Sequence, residues 1–90
     1  MYYVYIIKSL KKIKPVYVGF TTNLKQRIEE HNNDNFSEHY TYRHRPWKLV
    51  YYEAFLNEKD AKERENTLKN YGNVLGLLKK RITRSLEGAE

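Results

Sequence analysis

The residues best suited to chemistry stand on the first predicted helix, which begins soon after a glycine breaks a strand pattern. Leu24 and Ile28 mark the buried side of this helix. At about 100° per residue, Arg27 and His31 fall within roughly 60° of that apolar stripe. Helices normally turn cations toward solvent, whereas an arginine near the core binds anions and a histidine exchanges protons near neutral pH. These two positions therefore indicate a site rather than a solvated surface.

A carboxylate interrupts the apolar side of the next helix, which is predicted over residues 58–71. Ala61 and Leu68 define the inner side of that helix, and Glu65 lies between them at helical spacing. Two interpretations fit an inward-facing carboxylate. Glu65 either forms a partly buried ion pair with Arg27 that serves the fold, or it belongs to the same site as Arg27. Both interpretations place the two side chains close together.

Two tyrosines on neighbouring strands can reach the same space. Residues 2–7 and 16–20 are rich in β-branched and aromatic side chains, which predicts two strands close enough to pair antiparallel. Tyr5 and Tyr17 can then face the same side of the sheet. Gly19 leaves a gap beside Tyr17, as expected where another group approaches the backbone closely. Such tyrosines most often serve only a sheet or a core, so the pair alone does not define a site.

The remaining patterns complete one small domain of the α/β (α+β) class. Residues 47–55 are typical of a third strand, and the apolar residues of 74–82 predict a final short helix. The predicted fold is a three-stranded antiparallel sheet flanked by three helices, in the order β-β-α-β-α-α. One domain is expected over residues 1–86, with residues 87–90 as a frayed tail.

Polar residues at the predicted helix ends set the boundaries of the helices. Asn23 is expected to cap the first helix, with Gln26 returning a bond to the N–H of the capping residue. Asn57 is expected to cap the second helix, and Gly72 marks where that helix ends. Residues 32–45 show no periodicity and are expected to form a long functional loop.

Composition points to an anionic, base-bearing partner. The 90-residue chain has 17 Lys and Arg against 11 Asp and Glu, a formal charge of +6, and nine tyrosines. Basic residues interleaved with aromatic residues are typical of nucleic-acid-binding proteins. The chain has no cysteine, which excludes disulfides and thiolate metal sites, and its first residues lack the pattern of a secretory signal. We therefore expect a cytoplasmic protein.

The basic residues fall into several groups along the chain. Each group alone is expected to be a solvated face. If the groups surround the site, they would form a rim that follows a phosphate backbone. The predicted nucleic-acid-binding residues are Lys8, Lys12, Arg43, Arg45, Lys69, Lys79 and Lys80.

Taken in order, the residues resemble the GIY-YIG nuclease superfamily. The segment Tyr3-Val4-Tyr5 is similar to a degenerate form of the first motif, and Tyr17-Val18-Gly19 is similar to the second. The resemblance covers nearly the whole chain. It is strongest to the small stand-alone bacterial members, which are similar to the N-terminal nuclease domain of the DNA-repair excinuclease and to intron-encoded homing endonucleases. The further positions that carry it are Asn23, Leu24, Arg27, Ala61 and Glu65.

The resemblance implies a metal-dependent DNA endonuclease whose active site contains two tyrosines, an arginine and a glutamate. Glu65 would hold one Mg²⁺ or Mn²⁺ ion that keeps most of its waters. Arg27 would bind the scissile phosphate. One of Tyr5 and Tyr17 would activate the attacking water and the other would orient it or the phosphate, with His31 relaying the proton. Nearby cations are then expected to lower the pKa of the tyrosine that acts as the base.

Three positions depart from the family's pattern. Tyr3 stands where the name of the first motif gives glycine. Excinuclease-type members carry a lysine after the glycine of the second motif, where this chain has Phe20, and the family's asparagine would fall near Leu77. Three functions remain open: a structure-selective or weakly specific DNA endonuclease of repair or recombination type, a nucleic-acid-binding module without the chemistry, and an adaptor for a larger nuclease. We expect a monomer that acts on branched or nicked DNA, with specificity from DNA shape and the 32–45 loop.

Overall fold

Three antiparallel strands form the sheet that positions the candidate site. The computed structural model describes residues 1–11, 16–33 and 44–87. The strands are β1 (Tyr2–Ser9), β2 (Val16–Thr21) and β3 (Trp47–Phe55). Their order in the sheet is β2-β1-β3, so the first strand is central and is buried over most of its length. This position accounts for its apolar and aromatic character on both faces.

The helices confirm the predicted order β-β-α-β-α-α and add one short helix at the C-terminal end. No helix within the described residues combines the length and apolar character that a membrane crossing requires. The additional helix has only four residues, which is too short for a sequence period to reveal. The helices are α1 (Leu24–His31), α2 (Glu58–Asn70), α3 (Gly72–Arg81) and α4 (Thr83–Leu86).

The expected caps are present, although one reciprocal bond is not. The side chain of Asn23 accepts a hydrogen bond from the backbone N–H of Gln26 at 3.1 Å, and Asn57 caps α2 in the same manner. The expected return from Gln26 is wrong, because its side-chain amide donates to Glu30 instead, at 3.1 Å. The N–H of Asn23 donates to the hydroxyl of Thr21, which provides the bond that Gln26 does not.

The two faces of the sheet carry separate apolar clusters. On one face, α2 and α3 cover a core that contains Val4, Ile6 and Val18 from the strands and Ala61, Leu68 and Leu78 from the helices. On the other face, α1 packs on a second cluster. That cluster contains Tyr5, Ile7 and Trp47, with Tyr17, Leu24, Ile28 and Leu49 packed against it. Because α1 has only eight residues, it covers part of this second face.

A partly buried ion pair joins β3 to α2. The Nε and Nη2 of Arg64 donate to the two carboxylate oxygens of Glu53, each at 2.9 Å, and the hydroxyl of Tyr51 donates to Glu53 at 2.6 Å. Burial alone would raise the pKa of Glu53, but the bonds from Arg64 and Tyr51 outweigh it and hold that pKa below its ordinary value. The folded protein therefore favours the carboxylate form.

Replacing Arg64 with methionine is expected to lower the free energy of unfolding by about 2 kcal/mol at pH 7, because it leaves a half-buried carboxylate unpaired. The stabilisation from Glu53 is present above its ordinary pKa and is lost as the pH falls through its lower folded pKa. Urea unfolding between pH 7 and pH 3 should therefore show a weaker acid dependence in Arg64→Met. Lys62→Met, which removes an exposed pair with Glu58, should change stability by less than about 1 kcal/mol.

Candidate active site

The ring of Tyr5 lies across the neighbouring strand, above Gly19. These two residues are register partners of β1 and β2. A Cβ at Gly19 would overlap the Cζ and hydroxyl of Tyr5 and would lie 2.7 Å from its Cε2. The gap predicted beside Tyr17 therefore exists to admit the Tyr5 side chain. The sequence indicated a close approach but not which group makes it.

His31 joins the two tyrosines on the face that α1 covers. The hydroxyl of Tyr5 and the Nε2 of His31 are 2.7 Å apart, and the ring centroids of Tyr17 and His31 are 5.3 Å apart. The histidine is only 4% exposed. The next residue, Asn32, holds the end of α1 against β3, since its side chain accepts from the N–H of Trp47 at 2.6 Å and donates to the carbonyl of the same residue.

Arg27 lies at the edge of this group, with its side chain partly open to solvent. Its guanidinium forms an ion pair with Glu30 at 2.8 Å and also interacts with the phenol of Tyr5. Burial lowers the pKa of Arg27, but the bonds to Glu30 and Tyr5 outweigh that effect and raise the pKa above its ordinary value. With 30% of the side chain exposed, the guanidinium can meet an anion from solvent while it contacts Tyr5.

The second helix brings Glu65 toward the same phenol. The side chain of Glu65 is 22% exposed, and its negative charge raises the pKa of Tyr5, which places it within electrostatic range. Lys69 pairs with Glu65 at 3.1 Å and lies 5.4 Å from the centroid of the Tyr17 ring. Arg27 pairs with Glu30 on α1, and Glu65 pairs with Lys69 on α2. The alternative interpretation, an ion pair between Arg27 and Glu65 that serves only the fold, therefore gains no support.

The pKa of Tyr5 moves in the direction opposite to the expected one. Burial raises it to about 12, and the opposing effect of Arg27 is smaller. Arg27 lowers the pKa of Tyr5, as expected of a nearby cation, but the burial of a side chain that is only 1% exposed outweighs this effect. The phenol keeps its proton at neutral pH, and its hydroxyl lies within hydrogen-bond distance of the Nε2 of His31.

Replacing Tyr5 with phenylalanine is expected to flatten the loss of stability at alkaline pH. A raised folded pKa contributes stability that is present below pH 10 and lost as the pH rises toward about 12, a change of about 3 kcal/mol. At pH 7 the variant should lose about 1 kcal/mol with the bond to His31. Urea unfolding from pH 7 to pH 12 measures both effects. Parallel curves for wild type and Tyr5→Phe would contradict the prediction, and Tyr52→Phe controls for removal of an exposed tyrosine.

Of the predicted nucleic-acid-binding residues that the structure describes, Lys69 is the one whose contacts place it at the candidate site. Lys8 donates to the backbone carbonyl of Leu86 and so holds α4 against the sheet. Arg45 is half-buried before a cis peptide bond to Pro46. Lys12, Arg43 and most of the 32–45 loop lie outside the described residues.

The basic residues near the C-terminal end form a separate concave surface. Lys79 and Lys80 lie on α3, and Lys80 lines an open cavity of about 580 Å³ together with Arg81 and Arg84. This cavity shares no lining residue with the group around Tyr5.

The donor set around Glu65 suits a weakly held hard cation. Among the described residues, no group of three or more histidine, aspartate and glutamate side chains is placed to hold a metal ion. Mg²⁺ is commonly bound through one or two carboxylates, with waters and substrate phosphate oxygens completing its shell. A single partly exposed carboxylate such as Glu65 fits that mode of binding.

Comparison with known proteins decides the family. Residues 1–74 match the sequence profile described as the GIY-YIG catalytic domain. The chain belongs to the GIY-YIG family. This GIY-YIG domain places the chain in a nuclease family whose members act on nucleic acid and generally use divalent metal ions. The resemblance found in the sequence is therefore confirmed.

The relatives of this GIY-YIG domain are small proteins named UPF0213. The chain is 45% identical over 69 residues to one from Clostridium perfringens, covering 77% of this chain and 71% of that protein. It is 40% identical over 70 residues to one from Staphylococcus haemolyticus, covering 78% and 82% respectively. A third, from Haloquadratum walsbyi, is 34% identical over 78% of this chain and 75% of its own. No solved structure gives a significant match.

Phe20 and Leu77, two of the departures from the GIY-YIG pattern, lie at different kinds of position. Phe20 is half-buried on β2, and the Nζ of Lys62 lies 5.3 Å from the centroid of its ring, so a cation from α2 stands near this place. Leu77 is 62% exposed on α3.

Sequence reasoning did not place Lys69 beside Tyr17. The signal for its pairing with Glu65 was the four-residue spacing of the two residues on one helix.

Proposed function

We propose that this GIY-YIG protein is a metal-dependent DNA endonuclease, structure-selective or weakly specific, that acts in repair or recombination. The observation that supports it most is that Arg27 and Glu65, from two different helices, both lie within electrostatic range of the phenol of Tyr5. A cation for the phosphate, a carboxylate for a metal and a proton path are what phosphodiester hydrolysis requires. We further propose that the protein works as a cytoplasmic monomer on branched or nicked DNA.

In the proposed reaction Arg27 binds the scissile phosphate. Its planar guanidinium forms paired bonds to phosphate oxygens and stabilises the extra negative charge of the transition state. The contact with Glu30 orients the side chain without removing it from solvent, because the arginine is 30% exposed. Tyr17 is half-buried on the same side of the sheet and is assigned the orientation of the water or the phosphate.

The proton of the attacking water is assigned a path through Tyr5 to His31. Because burial raises the pKa of Tyr5 to about 12, a free phenolate is unfavourable. The phenol instead accepts a proton from the water while it passes its own to the Nε2 of His31, 2.7 Å away. The resulting hydroxide attacks phosphorus as the bond from phosphorus to the departing sugar oxygen breaks, and that oxygen takes a proton from solvent water while His31 later releases its extra proton to solvent.

Glu65 is the residue proposed to hold the metal ion. When bound, a divalent ion supplies positive charge for the phosphate oxygens and the departing oxygen. Lys69 lies 3.1 Å from the carboxylate and competes for it. Its displacement would leave a cation beside Tyr17.

Replacing Lys69 with methionine is expected to tighten Mn²⁺ binding in the absence of DNA by about fivefold, because the carboxylate of Glu65 no longer has a competing cation. Titration followed by electron paramagnetic resonance of Mn²⁺ measures the affinity directly. Lys62→Met is the matched control, since it breaks a pair with Glu58 at the same spacing on the same helix. Unchanged or weaker binding in Lys69→Met would place the ion elsewhere.

Cleavage of labelled DNA tests the proposed function. Branched, nicked, single-stranded and duplex substrates are incubated with the wild-type protein in Mg²⁺, in Mn²⁺ and in EDTA. The expected result is cleavage that needs a divalent ion and favours a branched or nicked substrate. No cleavage of any substrate under either metal, together with binding that weakens steeply with salt, would instead identify a nucleic-acid-binding module.

A further inference from the structure

One half of the sheet face that carries the candidate site is not covered by α1. The cluster beneath this helix contains Ile7, Leu49 and Trp47, which lie toward one end of the β1–β3 ladder. Toward the other end, Ala54 is exposed and Tyr52 is 53% exposed. A large aromatic side chain is thus open to solvent on a sheet face, where burial would be the usual outcome.

The exposed ring belongs to a pair of tyrosines. Tyr3 on β1 and Tyr52 on β3 have ring centroids 5.9 Å apart in an edge-to-face arrangement. This contact orients the rings relative to one another while leaving Tyr52 half open to solvent. The pair is also continuous with the candidate site, because Tyr52 is the register partner of Tyr5. Side chains on directly opposed residues start about 5 Å apart.

Tyr5 and Tyr52 extend in different directions from this shared origin. The Tyr5 ring lies over Gly19 on β2, on the side where Arg27 contacts its phenol. Tyr52 stands on β3, on the opposite side of the central strand. Because β2 and β3 lie on either side of β1, a phosphate at Arg27 and the ring of Tyr52 are separated by two inter-strand spacings, about 10 Å, a distance that a phosphate and the base of an adjacent nucleotide can bridge.

We propose that Tyr3 and Tyr52 form a stacking platform for an unpaired nucleobase next to the scissile phosphate. The proposal rests on the proposed nuclease function and names its substrate class: DNA with an unpaired base at the cleavage point, as in a single strand, flap or gap. Stacking on tyrosine suits any base, because every base has a π-face. A base inside a duplex is already stacked on both sides and cannot use the platform. Selectivity for strand structure therefore arises without reading of sequence.

Binding of fluorescein-labelled DNA, followed by anisotropy in EDTA, tests the platform without cleavage. Tyr52→Leu is expected to weaken binding of a single-stranded oligonucleotide about tenfold and binding of its duplex less than about twofold. Tyr52→Phe keeps the ring and should restore wild-type binding. Tyr71→Leu is the matched control, since Tyr71 is 59% exposed at the junction of α2 and α3 and should leave both affinities unchanged.

Several outcomes would overturn the platform. Equal losses for single strand and duplex would make Tyr52 a general surface contact, and unchanged affinities would remove it from the interface. A dimer in sedimentation that dissociates in Tyr52→Leu would assign the ring to a second copy of the chain. These binding results do not depend on cleavage. If the wild-type protein cleaves DNA and Tyr52→Leu binds it normally, the platform alone is rejected. If the wild-type protein does not cleave DNA, the proposed function is rejected.

Discussion

Replacing Glu65 with glutamine is expected to lower the rate of DNA cleavage by about a thousandfold or more while the fold and DNA binding persist. Glutamine keeps the size of the side chain and removes the charge that would hold a divalent ion. Loss of a metal that stabilises transition-state charge corresponds to about 4 kcal/mol or more. The pair with Lys69 is partly exposed, so its loss should cost less than about 1 kcal/mol of stability.

Glu63→Gln provides the matched control for this substitution. Glu63 is exposed on the same helix, and its replacement changes the net charge of the protein by the same amount. We expect Glu63→Gln to cleave at the wild-type rate. Single-turnover cleavage in Mg²⁺ and anisotropy in EDTA separate the chemical step from binding. If Glu65→Gln cleaved as fast as wild type, the carboxylate would have no part in catalysis and the assignment of the site would fail.

The three strands and the three longer helices of this fold were predictable because each has a strong local signal. The third strand has the predicted limits, 47–55, since its β-branched and aromatic run is bounded by Pro46 and a polar cap. The end of α2 is only approximately marked by Gly72, because α3 begins at that residue with no turn between the helices beyond Tyr71. Sequence signals thus locate an element well where its composition and its two boundary residues agree, as they do for β3.

The arrangement of the candidate site was only partly predictable. Helical spacing places Arg27 and His31 on one side of α1, and the structure has both in contact with Tyr5. Helical spacing does not predict which side chain pairs with each charged residue, and in the structure Arg27 pairs with Glu30. The raised pKa of Tyr5 depends on its complete burial beneath a neighbouring helix. The sequence around Tyr5 does not reveal that burial.

Replacing Gly19 with alanine is expected to lower the free energy of unfolding by about 3 kcal/mol or more and to reduce cleavage strongly. The new Cβ would overlap the phenol end of Tyr5, which cannot swing away without breaking its bond to His31 and leaving the core. Gly76→Ala is the contrasting control. A Cβ at Gly76 meets nothing within 4 Å, and alanine within α3 should stabilise by about 1 kcal/mol.

A double-mutant cycle shows whether the effect of Gly19→Ala acts through Tyr5. Tyr5→Leu removes the ring that the new Cβ would strike, so Gly19→Ala should cost little more in that background. The coupling free energy from urea unfolding is then about 2 kcal/mol or more, whereas independent positions add within about 0.5 kcal/mol. Additive costs would mean that Gly19 is required for the backbone of β2 itself. A strong coupling would instead make the second motif's glycine the residue that seats the tyrosine of the first motif against His31.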